Sequence, residues 1–302
     1  MIRWFAKTLI SQVKYQLKLN HQERLLNLKF ILVMYLILLG FSKNTKTLTN
    51  SFFNLNEILS FAPQIRKIMF FHNKFFRCLL DPKHRGIRAW EYGLFLTKVK
   101  LKKGMKVLDL GAGASALPFY LYSCGLDVTA FDLDDPLEPV LDSLVNKYPK
   151  LKYDRGTLTK LPYKQNFYDL ILCITTIEHL DFDFEKKKPY SYQTFLKRTK
   201  KSLFEMVRLL KKGGRLFLTS DLYFNDTQSS DNYPQAYFYQ GRIGASYKVN
   251  DFKKVFLDTL QSLNCKLVGA QDYNFQKIFK DQNRENFRGR CFTTFSIYAE
   301  KT

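Results

Sequence analysis

Asp109, Gly111, Gly113 and Asp132 are the residues whose types and spacing can do chemistry. The two glycines end a short apolar run, Val107, Leu108 and Leu110 around Asp109, which reads as a buried parallel strand. Glycine accepts backbone angles that turn the chain sharply and let a ligand approach the main chain. Residues 116–122 then read as a helix, and Val128-Thr-Ala-Phe-Asp132 as a second strand ending in an acid. Strand, glycine turn, helix, strand and acid form the layout of a nucleotide-binding βαβ unit, with the acid placed for ribose hydroxyls.

Gly111-x-Gly113-x-x-Ala116 also fits the dinucleotide fingerprint, so the nucleotide must be chosen on other grounds. Asp109 makes the choice. A carboxylate two residues before the first glycine repels a doubly anionic pyrophosphate, and NAD is disfavoured. The same charge suits a cationic ligand end, such as the amino group or sulfonium side of S-adenosyl-L-methionine. The segment from Lys106 to Ser115 resembles motif I of the class I S-adenosylmethionine-dependent methyltransferases, and the chain looks like their type 11 members.

The resemblance extends over about residues 86–302. Gly156-Thr-Leu-Thr-Lys-Leu-Pro-Tyr163 is similar to the family's adenine-side turn, and residues 167–174 to its next buried strand. Glu178-His179-Leu180 resembles the element after that strand, and residues 209–218 resemble its helix, glycine turn and fifth strand. Ser115 stands where many members have a third glycine, and Thr157 where an acid often contacts the adenine amino group. The resemblance implies an α/β fold: a doubly wound, mostly parallel, seven-stranded Rossmann-like sheet, here with a helical N-terminal extension. It also implies cofactor roles. Asp109 with the Gly111–Gly113 turn would receive the methionine end, Asp132 the ribose, Leu133 the adenine face, and Thr157 and Leu158 the edge of the base.

Methyl transfer from a sulfonium is an in-line displacement, catalysed largely by alignment, with a base needed only for a protonated nucleophile. His179 is the candidate base; a structural or cofactor-side role is its rival. Arg88-Ala-Trp-Glu-Tyr92 resembles a segment that closes over the cofactor in some members, so Tyr92 is a candidate contact; a packing helix is the rival reading. Beyond the fifth strand, Asp221–Phe224 and Tyr233–Arg242 read as a loop-like aromatic insertion, where acceptor recognition is expected. Tyr223, Tyr237, Tyr239 and Arg242 are the substrate-side candidates, with surface packing as the alternative. The acids Glu178, Asp181, Asp183 and Glu185 read as a solvated loop, and no metal is expected. No N-P-P-Y or D-P-P-Y stretch follows the strand at 169–174, which argues against an exocyclic-amine DNA methylase.

The 302 residues carry a formal net charge of +21 and 46% hydrophobic residues, enough apolar material for a substantial core. Five scattered cysteines without a C-x-x-C pair argue against a zinc site or disulfide framework and suit a reducing cytoplasm. The charge is uneven. Residues 1–103 hold 19 lysines and arginines against 4 acids, and the rest of the chain 29 against 23. Such a balance points to an anionic surface, lipid or nucleic acid. Ile2, Phe5, Leu9, Val13 and Leu17 fall on one helical face with basic residues elsewhere, a membrane-surface pattern. Residues 30–41 are apolar but shorter than the roughly 17–25 residues needed to span a bilayer. Residues 65–77 interleave bases with aromatics.

Residues 1–81 are therefore expected as a basic, partly apolar helical extension and 82–302 as the cofactor-binding domain. The extension reads as a cap on that domain, as a peripheral membrane anchor, or as an RNA-binding arm. The expected function is methyl transfer from S-adenosyl-L-methionine onto a small-molecule, sugar or lipid-linked acceptor, in the cytoplasm or peripherally at the inner face of the membrane. An RNA methyltransferase using the basic arm is one alternative. A non-catalytic, membrane-associated protein that keeps the cofactor fold is the other.

Overall fold

In the computed structural model the described residues are Pro63, 87–113, Ser115, 117–133, 148–183, 188–223, 235–239, 242–245, 247–273, 285–287 and 290–302. The amphipathic, apolar and basic–aromatic segments expected at 2–18, 30–41 and 65–77 lie outside them, as does the expected boundary at 81/82. Two compact units meet in sequence at Lys100 and Leu101. The first contributes α1 (Ile87–Lys98), whose Trp90, Glu91 and Tyr92 are buried and whose Arg88 Nη1 lies 2.8 Å from Glu91 Oε2.

The second unit is built on one sheet. Its strands are β1 (Lys106–Leu110), β2 (Asp127–Asp132), β3 (Lys152–Arg155), β4 (Tyr168–Ile174), β7 (Leu210–Tyr223), β11 (Cys265–Leu267) and β13 (Arg290–Lys301), in the order β11-β13-β7-β4-β1-β2-β3. β3, β2, β1, β4 and β7 run parallel, while β13 is antiparallel to β7 and β11 to β13. Two short strands, β10 (Tyr247–Lys248) and β12 (Glu285–Phe287), join at β7 and β13. The seven-stranded, mostly parallel sheet expected from the sequence is thus present, with these two additions. The apolar runs of β1 and β4 are buried on both faces, as parallel strands require.

Helix α2 (Leu117–Ser123) connects β1 to β2. Helix α3 (Tyr192–Leu209) precedes β7 and is capped by Ser191, whose Oγ accepts the Thr194 N–H. It buries Phe195, Leu196, Leu203, Met206 and Val207 against the core. The glycine turn at 213–214 is a bulge inside β7: Leu210 opposes Tyr168, and pairing resumes with Arg215 opposite Leu170. The helical stretch beyond β7 starts at Val249. Tyr247 and Lys248 extend beside β7, and then α4 (Val249–Phe252) runs through a π-helical turn (Lys253–Leu257) into α5 (Asp258–Ser262). Tyr247 is drawn out of the helix because its ring stacks on Phe195 (4.6 Å) and meets Phe256 edge-on (4.7 Å) in the core.

The end of α3 is closed from the far end of the chain. Lys301 Nζ donates at 2.9 Å to Asn166 Oδ1 and to the carbonyls of Val207 and Leu210, placing a cation at the carbonyl end of the helix. Removing this ammonium with Lys301→Ala is expected to lower stability by about 2 kcal/mol and the melting temperature by about 5 °C. An unchanged calorimetric melt would remove the capping role.

Candidate functional site

β1 has β2 on one side and β4 on the other, so the chain order reverses at β1 and opens a crevice at the carboxyl ends of β1 and β4. The glycine turn after β1 lies there. Gly111 has φ +73° and donates its N–H to the Phe131 carbonyl at 2.7 Å. A Cβ at this position would collide with the side chain of Thr176, which follows β4. Gly111 is therefore required by its neighbour as well as by its backbone angle.

Gly113, at φ +48°, donates its N–H to Asp132 Oδ2 at 2.8 Å. The other oxygen, Oδ1, accepts the Leu133 N–H at 2.7 Å. Each carboxylate oxygen thus holds one backbone donor and keeps acceptor capacity for a ligand hydroxyl. A Cβ on Gly113 would meet nothing closer than 3.9 Å, where Asp132 Oδ2 and the Gly111 carbonyl lie. The space in front of this carboxylate is a cradle that a side chain would fill. Leu133 borders it and stays 40% exposed, an apolar platform at the strand end.

The turn is braced from β3, where Tyr153 donates its hydroxyl to the Gly113 carbonyl at 3.0 Å. Gly156 N–H is held by the Asp132 carbonyl at 2.9 Å, bringing the next segment alongside. There Thr157 Oγ1 lies 3.1 Å from Thr159 Oγ1, and Leu158 is buried in the core with Phe131. Ser115, standing in place of a third glycine, accepts the Leu117 N–H with its Oγ at 3.0 Å and so starts α2.

Asp109 lies one residue inside the end of β1, opposite Ala130 and Leu172, and is 3% exposed. It is a buried strand residue, as the apolar run around it implied. Beyond β4, Thr175 adopts φ +46°, rare for a β-branched residue, and its N–H reaches both the carbonyl and Oγ1 of Thr219 at 3.1 Å. A 3-10 turn, Ile177–Asp181, follows. Its Glu178 is 2% exposed and accepts the Ser220 hydroxyl at 2.9 Å, while His179 is half-buried. Burial pushes the Cys173 thiol well above its ordinary value, and the Glu178 and Asp109 carboxylates add to the shift, so this cysteine is a core residue. Asp181 and Asp183 are buried, which corrects the solvated loop expected of them; the short strand Phe182–Asp183 (β5) pairs with Lys188–Pro189 (β6). Among the described residues no cluster of three His, Cys, Asp or Glu side chains is arranged to hold a metal.

The substrate-side candidates are placed differently from the expected loop. Asp221 and Tyr223 belong to β7, which continues through Ser220 because β13 pairs with it as far as Tyr223. Tyr237 and Tyr239 lie on β8 (Gln235–Tyr239) and Arg242 on β9 (Arg242–Ala245), an antiparallel hairpin in which Tyr239 opposes Arg242. β9 runs beside the 3-10 turn that carries Glu178 and His179. Tyr92 belongs to α1 in the first unit.

Tyr153, Thr176, Thr219 and Ser220 were not singled out from the sequence. Their contributions come from strand register and turn contacts, and no spacing of residue types announces them.

Residues 108–218 match the methyltransferase domain family. An uncharacterised protein of Methanocaldococcus jannaschii is 31% identical over 130 residues, covering 42% of this chain and 46% of that protein. Phosphoethanolamine N-methyltransferase 3 of Arabidopsis thaliana is 27% identical over 139 residues, covering 45% of this chain and 25% of the plant enzyme. The match thus spans about half of one relative and a quarter of the other. An S-adenosylmethionine-dependent methyltransferase from Mesorhizobium loti superposes with a TM-score of 0.46 at 14% identity, over 70% of this chain and 97% of that one. The cofactor of this domain family is S-adenosyl-L-methionine, and Asp132 presents carboxylate oxygens beside the Gly113 turn. Over residues 108–218 the chain thus carries a methyltransferase domain, as its resemblance to the class I S-adenosyl-L-methionine-dependent methyltransferases implied.

Proposed function

We propose that this chain transfers the methyl group of S-adenosyl-L-methionine to a small-molecule, sugar or lipid-linked acceptor. The observation that carries the reading is the Asp132 carboxylate, held by two backbone N–H groups in front of an open glycine turn. In this reading Asp132 binds the ribose hydroxyls, Leu133 packs on the adenine, and Thr157 and Leu158 border the base. Asp109 and the Gly111–Gly113 turn hold the methionine end, with the buried carboxylate acting through the field it adds to the crevice. The cofactor supplies an electrophilic methyl carbon.

The residues of this chain supply alignment. β9 runs beside the 3-10 turn, so the hairpin with Tyr237, Tyr239 and Arg242, together with Tyr223 at the end of β7, is assigned to the acceptor side. His179 takes a proton where the acceptor nucleophile carries one. The partial likeness to a phosphoethanolamine methyltransferase supports a small polar acceptor.

The test is transfer of a radiolabelled methyl group from the cofactor to phosphoethanolamine, to sugars, to a total lipid extract and to RNA, each offered separately. Label in a small molecule or lipid is expected. Label in RNA alone would replace this reading with the RNA alternative, and no label in any acceptor would remove the catalytic claim.

A further inference from the structure

Helix α3 presents a second feature that methyl transfer does not use. Lys197, Lys200, Lys201 and Phe204 recur at intervals of three and four residues, so they share one stripe. That stripe lies opposite the face that buries Phe195, Leu203 and Met206. Phe204 is 51% exposed, with Lys200 and Lys201 one turn before it. The neighbouring loop adds to the charge. Arg208 donates to the carbonyls of Leu161 and Tyr163 at 3.0 Å, and Glu205 Oε2 accepts the Leu161 N–H at 3.0 Å. These contacts fix residues 161–163 against the helix, and the flanking Lys160 and Lys164 are exposed. Glu205 is the one acid in α3, and Arg208 engages it at 2.8 Å.

We infer that this face docks on an anionic lipid bilayer. Three lysines sharing a stripe with one exposed aromatic match a negative headgroup layer in charge, and a phenylalanine ring gains by entering the headgroup boundary. A nucleic-acid surface is the poorer match. Both arginines of the helix are turned inward: Arg208 grips the loop, and Arg198 donates to the Leu180 carbonyl at 3.0 Å while lying over the Tyr190 ring. The outward cations are therefore lysines, point charges without the planar fork that reads bases and phosphates bidentately. The Arg198 contact also ties α3 to the 3-10 turn of the candidate site, so docking brings that site close to the lipid surface. The inference stands without methyl transfer, and its test involves no turnover.

The full chain is sedimented with vesicles of phosphatidylcholine alone and of phosphatidylcholine with phosphatidylglycerol. Binding is expected only to the anionic vesicles and is lost near 1 M salt, where the Debye length falls to about 3 Å. The combined variant Lys197→Gln/Lys200→Gln/Lys201→Gln is expected to bind about a hundredfold more weakly, at roughly fivefold per lysine. Phe204→Trp reports the contact locally against the background of Trp4 and Trp90. Its added emission shifts to the blue and is quenched by brominated anionic lipid. An unchanged affinity of the lysine variant, an unquenched Trp at 204, or retention of RNA in place of vesicles by this stripe would each overturn the proposal.

Discussion

Asp132→Ala is expected to lose S-adenosyl-L-methionine binding by at least about a hundredfold. Two ribose hydroxyls donating to one carboxylate contribute roughly 1.5–3 kcal/mol each, and every 1.4 kcal/mol is a factor of about ten. The alanine also leaves the Gly113 N–H without its 2.8 Å acceptor, so the glycine turn loosens together with the loss of the carboxylate. The effect on the fold is smaller, because Asp132 is the last residue of β2 and its carbonyl still holds Gly156. A melt close to wild type combined with lost binding is the expected pair of results. Affinity within about threefold of wild type would contradict the ribose assignment.

The two glycines of the turn are expected to fail in different ways. Gly111→Ala forces a Cβ onto Thr176 at φ +73°, so overpacking adds to backbone strain and stability falls by roughly 2–5 kcal/mol. Introducing Thr176→Gly into that variant removes the collision but not the strain. A coupling of about 1–3 kcal/mol in urea denaturation is therefore expected from the double-mutant cycle. Gly113→Ala makes only ordinary contacts, to Asp132 Oδ2 and the Gly111 carbonyl at 3.9 Å, and pays the left-handed backbone, about 1–2 kcal/mol. Its methyl group enters the cradle beside Asp132, so it should weaken the cofactor far more than the fold. Additive behaviour of Gly111→Ala and Thr176→Gly would show that the Thr176 contact does not set the identity of residue 111.

These contrasts also mark how far the sequence could be read. The βαβ unit was legible because its signals are local: an apolar run, two glycines that need positive φ, and an acid at the end of the next strand. The mostly parallel, seven-stranded character of the sheet followed from the resemblance that those signals supported. What stayed hidden depends on distant partners. The continuation of β7 through Asp221 and Tyr223 is imposed by pairing with β13, some seventy residues later, and Asp221 is held there by the Thr294 hydroxyl at 2.9 Å. Tyr247 looks helical in its own neighbourhood, yet core stacking on Phe195 fixes it as an extended residue. Asp181 and Asp183 resemble loop acids in sequence, but Asp181 is buried at the end of the 3-10 turn and Asp183 in the β5–β6 pair. Thr176 was invisible for the same reason, since its importance lies in the empty position of Gly111.

The charge pattern was legible in amount and not in place. The excess of bases in residues 1–103 is a property of the composition. The lysine stripe around Phe204 becomes a surface only once α3 has buried its opposite face. Helical periodicity alone gives the stripe; packing decides which side of it meets solvent.

The central claim is tested most directly by calorimetric titration of the full chain with S-adenosyl-L-methionine, S-adenosylhomocysteine and NAD. Saturable binding of both sulfur ligands at about micromolar concentrations, with none for NAD, is the predicted result, since the Asp109 carboxylate disfavours a pyrophosphate. Binding of NAD, or of none of the three, would contradict the account and leave the sheet without its assigned cofactor.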